Sequence, residues 1–246
     1  MKKTNDSIAI EVKGVSKKYR YTKERPVLAK TLFSRSKSQE FWALKDVSLK
    51  IKKGETVGII GENGSGKSTL LKIIAGITIP TKGSVKVNGR ICSLIELGAG
   101  FHPDLTGREN VYLNGMLLGL TRKEIDGRFN SITEFADIGN FVDEPVRFYS
   151  YGMIVRLGFS VAVHLDPDIL VVDEVLAVGD EQFQNKCKER IAELKRKGVT
   201  LVFVSHSMDL IQSTCRKAVW IHKAQKRFED IAKNVIQRYL LYEQSR

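Results

Sequence analysis

A glycine-rich segment at residues 61–69 constrains the fold of this 246-residue chain more than any other feature. Its sequence is Gly-Glu-Asn-Gly-Ser-Gly-Lys-Ser-Thr, and it stands between a β-like apolar run, Thr56–Ile60, and a helical pattern at Leu70–Ala75. The segment fits the pattern G-x4-G-K-[ST] in the required context of a strand before and a helix after. A chance glycine-rich turn does not explain strand, spacing, lysine and hydroxyl together. The segment therefore predicts a phosphate-binding loop (P-loop) that joins a strand to a helix.

Each residue type in this loop has a physical role in holding a polyphosphate. Glycines let successive backbone N–H groups turn inward without Cβ clashes, and the helix N-terminus adds a favourable dipole. Lys67 supplies a positive charge for the β- and γ-phosphates, and the Ser68 hydroxyl is a ligand for Mg²⁺. The predicted nucleotide-binding residues are Gly61, Asn63, Gly64, Ser65, Gly66, Lys67, Ser68 and Thr69.

An acidic pair, Asp173 and Glu174, directly follows the apolar strand pattern Ile169–Val172. We expect Asp173 to hold Mg²⁺ through water and Glu174 to polarise the attacking water as a general base. A strand-end Asp-Glu pair is also typical of a helix cap. The presence of a P-loop favours the metal and general-base roles over the cap.

The composition bounds the class of protein. With 42% hydrophobic and 28% charged residues, the chain fits one large globular domain. No run approaches the roughly 18 apolar residues needed to span a bilayer, and the N-terminus lacks the apolar segment of a signal peptide. Three scattered cysteines, Cys92, Cys187 and Cys215, show no metal or disulfide spacing. These features favour the cytosol.

The net charge of +12 is unevenly distributed along the chain. Residues 1–53 hold 15 Lys/Arg and 5 Asp/Glu, a surplus of 10. Such asymmetry indicates an anionic partner, which could be nucleic acid, anionic lipid or a phosphate-rich substrate. A solvated basic surface with no specific role is the alternative, because charge alone does not define a function.

The residue patterns predict an α/β core interrupted by helices. Thr106 with Glu109, and Thr121 with Glu124, have the spacing of helix-capping boxes. A basic segment at Tyr21–Gln39 is predicted as a surface insert. The other predicted elements are strands at Ile8–Val15, Val47–Ile51 and Thr200–Val204, helices at Asp180–Arg196 and from Asp209, and a closing amphipathic helix in the last twenty residues.

Three further features appear in a characteristic order. Residues 149–153, Tyr-Ser-Tyr-Gly-Met (the signature segment), precede a helix pattern at Ile154–His164, Asp180 follows the acidic pair, and His206 follows a strand. In this order they resemble the nucleotide-binding subunits of ABC transporters, over about residues 8–220. The Tyr-Ser-x-Gly-Met variant is similar to the subfamily that exports lipid-linked polysaccharides (O-antigen or capsule) and teichoic acids. The basic insert and residues 96–110 and 173–180 are similar to the same subfamily.

The resemblance implies a P-loop ATPase fold. It consists of a RecA-like α/β core, an N-terminal antiparallel β subdomain and an inserted α-helical subdomain. On this sequence the α/β parts are expected at residues 1–95 and 160–246, and the helical subdomain at about residues 100–158. We expect residues 1–246 to form a single nucleotide-binding domain without a separate carbohydrate-binding domain.

The resemblance also implies a site shared by two copies, which sandwich two ATP molecules with Mg²⁺. The signature residues of one copy would contact the ATP that the other copy's P-loop binds: Ser150, Tyr151, Gly152 and Met153. His206 would contact the γ-phosphate and orient the catalytic water. Asp180 would belong to the loop that communicates across the dimer, or it is only the N-cap of its helix.

Four positions depart from the family pattern or leave alternatives open. Glu96 (or Leu97, if no gap is allowed) replaces the usual glutamine near Mg²⁺, and Tyr151 replaces a small residue that faces ATP. Tyr19 is the candidate for stacking on adenine, with Trp42 as the reserve. Residues 221–228 lack the glycine of the usual hairpin.

The implied function is an ATPase subunit that works as a homodimer at the cytoplasmic face of the cell membrane. It would drive export of a lipid-linked glycan or teichoic acid through a separate permease of two copies, with its basic N-terminal region facing the anionic inner leaflet or the phosphate groups of the polymer. One alternative is another ABC system that exports drugs or lipids or imports solutes. A soluble nucleic-acid-associated ABC ATPase is less consistent, because 246 residues leave no room for a tandem domain or coiled coil; no nucleic-acid partner is expected. The sequence does not identify the polymer.

The segment Ile91–Pro103 is expected to couple the ATPase to the permease. Ile91, Leu94 and Ile95 have helical spacing and stand before Gly98 and Gly100. This pattern predicts a short helix followed by a glycine hinge. The alternative is a buried helix that only packs the core.

Overall fold

The computed structural model describes residues 7–22, 38–95, 97–98, 100–173, 179–205 and 207–245. Three predicted site residues, Glu96, Glu174 and His206, lie outside these ranges, as do residues 23–37 of the basic insert. The strands are β1 Ile8–Thr22, β2 Ser38–Lys52, β3 Thr56–Ile60, β4 Lys82–Val87, β5 Ile91–Ser93, β6 Ile169–Val172, β7 Thr200–Val204, β8 Lys217–His222 and β9 Gln225–Ile231. The α-helices are α1 Lys67–Ile74, α2 Gly107–Leu117, α3 Arg122–Ala136, α4 Tyr151–His164, α5 Glu181–Arg196, α6 Met208–Thr214 and α7 Ala232–Gln244.

The main sheet has the strand order β5-β6-β7-β3-β8-β9. Its strands are parallel except for β9, which runs antiparallel to β8. Every residue of β3, β6 and β7 is buried, as expected of a parallel sheet that helices cover on both faces. The carboxyl ends of these three adjacent strands lie at one edge of the sheet, and that edge carries the P-loop and Asp173.

A second, three-stranded antiparallel sheet has the order β2-β1-β4. In it Ile10 lies opposite Ile51 on one side and Val87 on the other. The apolar face of this sheet packs with α1 and β3 in one cluster that includes Ile10, Leu49, Val57 and Leu70. β1 and β2 extend well beyond the predicted Ile8–Val15 and Val47–Ile51, so the ends of the predicted insert belong to strands.

Helices α2, α3 and α4 form a helical lobe with a core of its own. Thr106 and Thr121 each accept a hydrogen bond from the backbone N–H three residues later, and the glutamate at that position reaches back to the cap. Both predicted capping boxes are confirmed. The lobe buries Ile125, Ile132 and Leu157 completely.

The segment after Ile91 is not helical, and this prediction was wrong. Residues Ile91–Ser93 form β5, which pairs in parallel with β6, and the Leu94 N–H continues the ladder by donating to the carbonyl of Val171 at 2.8 Å. Three apolar residues are too few to separate helical from strand periodicity, and the neighbouring strand decides. Leu94 is 1% exposed and belongs to the main core rather than to a mobile surface helix.

Two of the predicted helices begin earlier than their sequence patterns indicated. α1 starts at Lys67 rather than Leu70, and α4 starts at Tyr151 rather than Ile154. In both cases the first turn is made of motif residues that carry no apolar periodicity. Within the part of the chain that the structure describes, no helix is long and apolar enough to cross a lipid bilayer.

Candidate nucleotide-binding site

The P-loop turns sharply between β3 and α1, and its glycines permit the turn. Gly61, Gly64 and Gly66 have positive φ angles of 145°, 76° and 110°. A Cβ on Gly61 would lie 2.1 Å from the carbonyl oxygen of Ile221, and one on Gly66 would lie 2.3 Å from that of Ala43. The loop therefore approaches two neighbouring backbones more closely than any side chain would allow.

Lys67, the first residue of α1, is held over the loop that precedes it. Its side chain is largely buried, and its Nζ donates to the carbonyl oxygens of Gly61 at 2.8 Å and Glu62 at 2.9 Å. Gly66 supplies the helix N-cap without a side-chain hydrogen bond. A buried ammonium and the N-terminal N–H groups of α1 thus lie together, which is the charge distribution that an anion requires.

Ser65 places a buried polar group within the P-loop. The residue is 4% exposed, and its Oγ has no hydrogen-bond partner among the residues that the structure describes. A buried hydroxyl without a partner is costly, so such groups are usually satisfied by a ligand or by water. Within the chain this Oγ lies beside Gly61, where an added Cβ would come 2.9 Å from it.

A cleft of about 410 Å³ opens over the P-loop. Asp173, at the end of β6, lies in its wall with Ser68, so a carboxylate and a hydroxyl share one cavity. These oxygen donors are those that Mg²⁺ prefers. The lining residues are Phe41, Ala43, Asn63, Gly64, Gly66, Lys67, Ser68, Thr69, Asp173 and Val204.

One aromatic ring, that of Phe41, lines this cleft, and the predicted adenine-stacking residue Tyr19 packs against it. Phe41 is 50% exposed and lines the cleft. Tyr19 lies opposite Phe41 across the β1–β2 pair, with the ring centroids 5.7 Å apart and the rings stacked. Among the described residues, the cleft lining includes neither Tyr19 nor Trp42, and Trp42 contacts Lys18. The signal for Phe41 was its alternation with Ala43, which places both on one face of β2.

The signature segment forms the exposed start of α4. Ser150 is the N-cap, and its Oγ accepts a hydrogen bond from the Met153 N–H at 3.2 Å. Among the described residues, a Cβ on Gly152 would meet only the Ser150 hydroxyl, at 3.7 Å, and Tyr151 is 73% exposed. The residues lining the P-loop cleft do not include these three. Within one copy, the structure does not bring the signature segment to the P-loop.

Tyr149, the first residue of the signature segment, is buried and is held by contacts with other residues of the helical lobe. Its hydroxyl donates to the carbonyl oxygen of Phe141 at 2.5 Å, and burial raises the pKa of the phenol to about 12. The side chain of Tyr149 fills the space beside Gly107, where a Cβ would come 2.0 Å from the phenol oxygen. These contacts fix the start of α4 to the rest of the helical lobe.

Asp180 caps α5, as one of its two predicted roles requires. Its carboxylate accepts the Phe183 N–H at 2.8 Å and pairs with Arg156 of α4 at 2.5 Å. The Phe183 N–H, and then the charge of Arg156, hold the pKa of Asp180 below its ordinary value. The carboxylate therefore stays charged at neutral pH and links α4 to α5.

Leu97, the alternative to Glu96 in the position of the usual glutamine, packs against the main core. An apolar side chain in this place has no oxygen to offer a metal. Of the two alternatives, only Glu96, which lies outside the described residues, carries a carboxylate for that role.

Comparisons with known proteins agree with this geometry. A family profile described as ABC transporter matches residues 44–177. The O-antigen export system ATP-binding protein of Klebsiella pneumoniae is 51% identical over 210 residues, which cover 85% of both chains. The teichoic acids export ATP-binding protein of Enterococcus faecalis is 45% identical over 94% of this chain, and the match spans 52% of that protein.

Solved structures of low sequence identity share the fold. An ATP-binding subunit of an ABC transporter superposes with a TM-score of 0.76 at 23% identity, covering 95% of this chain and 94% of that chain. A dimeric ATP-binding cassette in a post-hydrolysis state, bound to ADP and Pi, gives a TM-score of 0.71 at 24% identity, covering 91% of this chain and 98% of that chain. The family profile spans more than half of the chain, and the Klebsiella relative matches over most of its own length, so the chain belongs to the ABC transporter family.

Proposed function

We propose that this chain is the ATP-hydrolysing subunit of an exporter for lipid-linked polysaccharide or teichoic acid. The observation that carries the proposal is the P-loop cleft, in which Lys67, Ser68 and Asp173 lie together. The substrate class is supported by the printed functions of the Klebsiella and Enterococcus relatives. The subunit would act at the cytoplasmic face of the membrane with a separate permease of two copies.

ATP would bind with its phosphates against the P-loop and its base against Phe41. The N–H groups of residues 61–69 and the Lys67 ammonium would hold the β- and γ-phosphates. Phe41 lines the cleft at that end and would offer its ring to the adenine, with Tyr19 stacked on Phe41 as support. We propose stacking on Phe41 rather than on Trp42.

Mg²⁺ would be held by the Ser68 hydroxyl and by Asp173, with Glu96 as a ligand through water. When bound, the ion neutralises charge on the β- and γ-phosphate oxygens. Ser68 lies in the first turn of α1, and Asp173 directly follows the end of β6. Their presence in one cleft is what supports the assignment.

Hydrolysis would use two residues that follow neighbouring strands. Glu174 comes two residues after the end of β6, and His206 comes two residues after the end of β7. Val172 and Phe203 pair at the ends of those strands. Glu174 would accept a proton from the attacking water, and His206 would orient that water toward the γ-phosphate. Both assignments follow from sequence position and family resemblance.

A second copy of the chain would complete the site. The N-terminus of α4 offers the Ser150 hydroxyl and the N–H of Gly152 to solvent, outside the cleft of its own copy. In a homodimer these groups, with Tyr151 and Met153, would contact the ATP that the partner copy binds. The α/β parts at residues 1–95 and 160–246 and the helical lobe at about residues 100–158 would then move relative to each other as the dimer closes.

Two substitutions test the ATP site. Lys67→Ala should weaken Mg-ATP binding at least tenfold, because a direct phosphate contact is lost. Glu174→Gln should bind ATP with unchanged affinity, lose steady-state hydrolysis by a factor of about 100 or more, and accumulate as an ATP-bound dimer. Calorimetric titration, phosphate release and analytical ultracentrifugation measure the three quantities.

Exposed Lys188 on α5 provides a matched control. Lys188→Ala removes the same charge away from the cleft and should change none of the three quantities. Hydrolysis by Glu174→Gln at the wild-type rate would mean that another residue is the general base. Unchanged ATP affinity in Lys67→Ala would mean that the P-loop is not the ATP site.

A further inference from the structure

The connection between β8 and β9 has a backbone conformation that its residues disfavour. The two strands pair up to His222 and Gln225, so Lys223 and Ala224 alone form the turn. Both have positive φ angles, 44° and 68°. Turns of this kind are normally built from glycine, asparagine or aspartate, because a Cβ atom crowds the backbone in the left-handed region. A turn without these residues needs support from its surroundings.

Ala224 receives that support from two sides of the nucleotide cleft. Its N–H donates to the carbonyl oxygen of Ser65 in the P-loop at 3.1 Å, and its own carbonyl accepts the Lys45 N–H of β2 at 2.7 Å. Ala224 is 7% exposed. Because β2 carries Phe41 and Ala43 into the cleft wall, one buried residue joins the phosphate end of the cleft to this strand.

The P-loop contacts the same two neighbours at further points. The missing Cβ of Gly61 leaves room for the Ile221 carbonyl of β8, and the missing Cβ of Gly66 leaves room for the Ala43 carbonyl of β2. The loop is thus held between the β8–β9 hairpin and β2 without free space at either contact. A displacement of the Lys223–Ala224 turn would displace the loop.

The hydrogen bond from Ala224 has a consequence for the nucleotide. A peptide unit is planar and trans, so its C=O and N–H point to opposite sides. When the Ser65 carbonyl is held against the hairpin, the Gly66 N–H of the same peptide unit points the other way. Gly66 lines the cleft, so this N–H is directed to the side where phosphate would bind.

We infer that Ala224 is a positioning residue for ATP, acting through its backbone amide. It fixes the Ser65–Gly66 peptide in the orientation that presents an N–H to the phosphates. The left-handed turn places this amide outside the β8–β9 ladder, where it is available to the P-loop. The inference rests on the proposed ATP site and adds to it a residue remote in sequence from every motif of that site.

Replacement of Ala224 by lactic acid tests the inference, because an ester has nearly the shape of the amide but lacks the N–H. In the full-length chain, Kd and KM for Mg-ATP should rise about fivefold, which corresponds to one typical net hydrogen bond. The kcat at saturating ATP should change by less than about twofold, since Ala224 acts on binding. The matched control is the same amide-to-ester change at Lys223, which should leave both constants at their wild-type values.

A pair of conventional variants gives the same test by another route. Valine disfavours positive φ at either position of the turn. Ala224→Val should therefore raise the KM for Mg-ATP more than Lys223→Val does. The rise in KM is compared per degree of melting temperature that each variant loses. A structural role alone would raise KM equally in both.

Equal effects of the two esters on Kd would overturn the role of Ala224, as would an unchanged Kd in the Ala224 ester. Lys67→Ala, measured alongside, separates this failure from failure of the site. If Lys67→Ala loses affinity and the Ala224 ester does not, only the positioning role is wrong. If Lys67→Ala also keeps full affinity, the ATP site itself is misassigned.

Discussion

The glycines of the P-loop are required for two different physical reasons. Gly61 has the carbonyl of Ile221 in the place where a Cβ would go. Gly64 has a positive φ of 76°, but no atom of the described residues lies within 4 Å of that place. At Gly61 the neighbouring backbone excludes a side chain, whereas at Gly64 only the conformation of the residue itself does.

This difference predicts unequal costs for the same substitution. Gly64→Ala should lower the free energy of unfolding by about 1 kcal/mol, the cost of a left-handed non-glycine residue. Gly61→Ala should lower it by more than about 3 kcal/mol, because a backbone clash is added. Urea unfolding without nucleotide measures both. Equal losses would show that the Ile221 backbone moves away and that the close approach is not rigid.

At the residue scale, the sequence predicted those parts of the site that belong to a contiguous motif. Lys67 and Ser68 lie where the G-x4-G-K-[ST] pattern indicated, and Asp173 shares their cleft. Phe41 and Ala224 were not predicted. Their contacts depend on the pairing of β1 with β2 and on the β8–β9 turn, and neither is encoded in the residues near them in sequence.

At the scale of single elements, local interactions were predictable and long-range pairing was not. The capping boxes at Thr106 and Thr121 each involve four consecutive residues, so the sequence contains the whole interaction. β5 has only three residues and is a strand because it pairs with β6, more than seventy positions later. The same dependence on a distant partner explains why Leu94 belongs to the core and is a poor place to test coupling.

The coupling hypothesis for residues 91–103 depends instead on the contact between Gly98 and α4. A Cβ on Gly158 of α4 would lie 2.7 Å from the backbone N of Gly98. A Cβ on Gly98 would lie 2.4 Å from the Ile154 side chain, also on α4. The segment that follows β5 therefore rests directly on the helix whose N-terminus carries Ser150.

Alanine at Gly158 should disturb this contact. We expect Gly158→Ala to reduce polymer export severalfold while the basal ATPase activity of the isolated subunit and Mg-ATP binding at the P-loop are retained, because α4 and residues 97–98 are pushed apart. ATPase rate, export in cells and ATP affinity of the same variant are the measurements.

Gly127 on α3 offers a matched helical control, since a Cβ there would have no atom of the described part of the chain within 4 Å. Gly127→Ala should keep both activities and stabilise the fold by up to about 1 kcal/mol, because alanine favours a helix over glycine. If Gly158→Ala keeps the same ATPase activity and polymer export as Gly127→Ala, the contact between α4 and Gly98 does not transmit the nucleotide state.

At the scale of the whole molecule, the α/β core with an inserted helical lobe followed from the order of the patterns, but the strand order did not. Adjacent strands such as β3 and β8 are separated by more than 150 residues. Hydrophobic runs indicate that strands are buried but not which strands are neighbours. The family resemblance supplied the subdomains of the fold, and the strand order was not predicted.

The structure also modifies the interpretation of the basic N-terminal region. Glu11 lies between Lys13 and Lys50, at 2.9 and 3.0 Å, and Glu40 accepts from both Lys18 and Arg20 at 2.6 Å. Each carboxylate neutralises one of two cations. Each cluster of one carboxylate and two cations therefore keeps a net charge of +1. The positive charge of the three-stranded sheet is spread over a surface rather than concentrated in a pocket.

A spread positive surface suits a lipid bilayer better than a single phosphate, and this predicts salt-dependent binding to anionic vesicles. The full-length chain should bind phosphatidylglycerol-containing vesicles and release them as ionic strength rises, because screening shortens the reach of exposed charges. The triple variant Lys13→Gln, Arg20→Gln, Lys50→Gln removes three side chains that are 64%, 74% and 60% exposed and should weaken this binding at least about tenfold. Vesicle co-sedimentation at several salt concentrations measures the effect.

The control removes the same number of exposed cations from other parts of the molecule. Arg108 and Arg147 of the helical lobe are 46% and 53% exposed, and Lys197, just after α5, is 58% exposed. Their triple replacement by glutamine produces the same net charge and should leave vesicle binding close to wild type. If both triple variants lose binding equally, net charge alone attracts the chain to the vesicles. If neutral vesicles bind as well as anionic ones, the basic sheet has no electrostatic role at the membrane and is only a solvated surface.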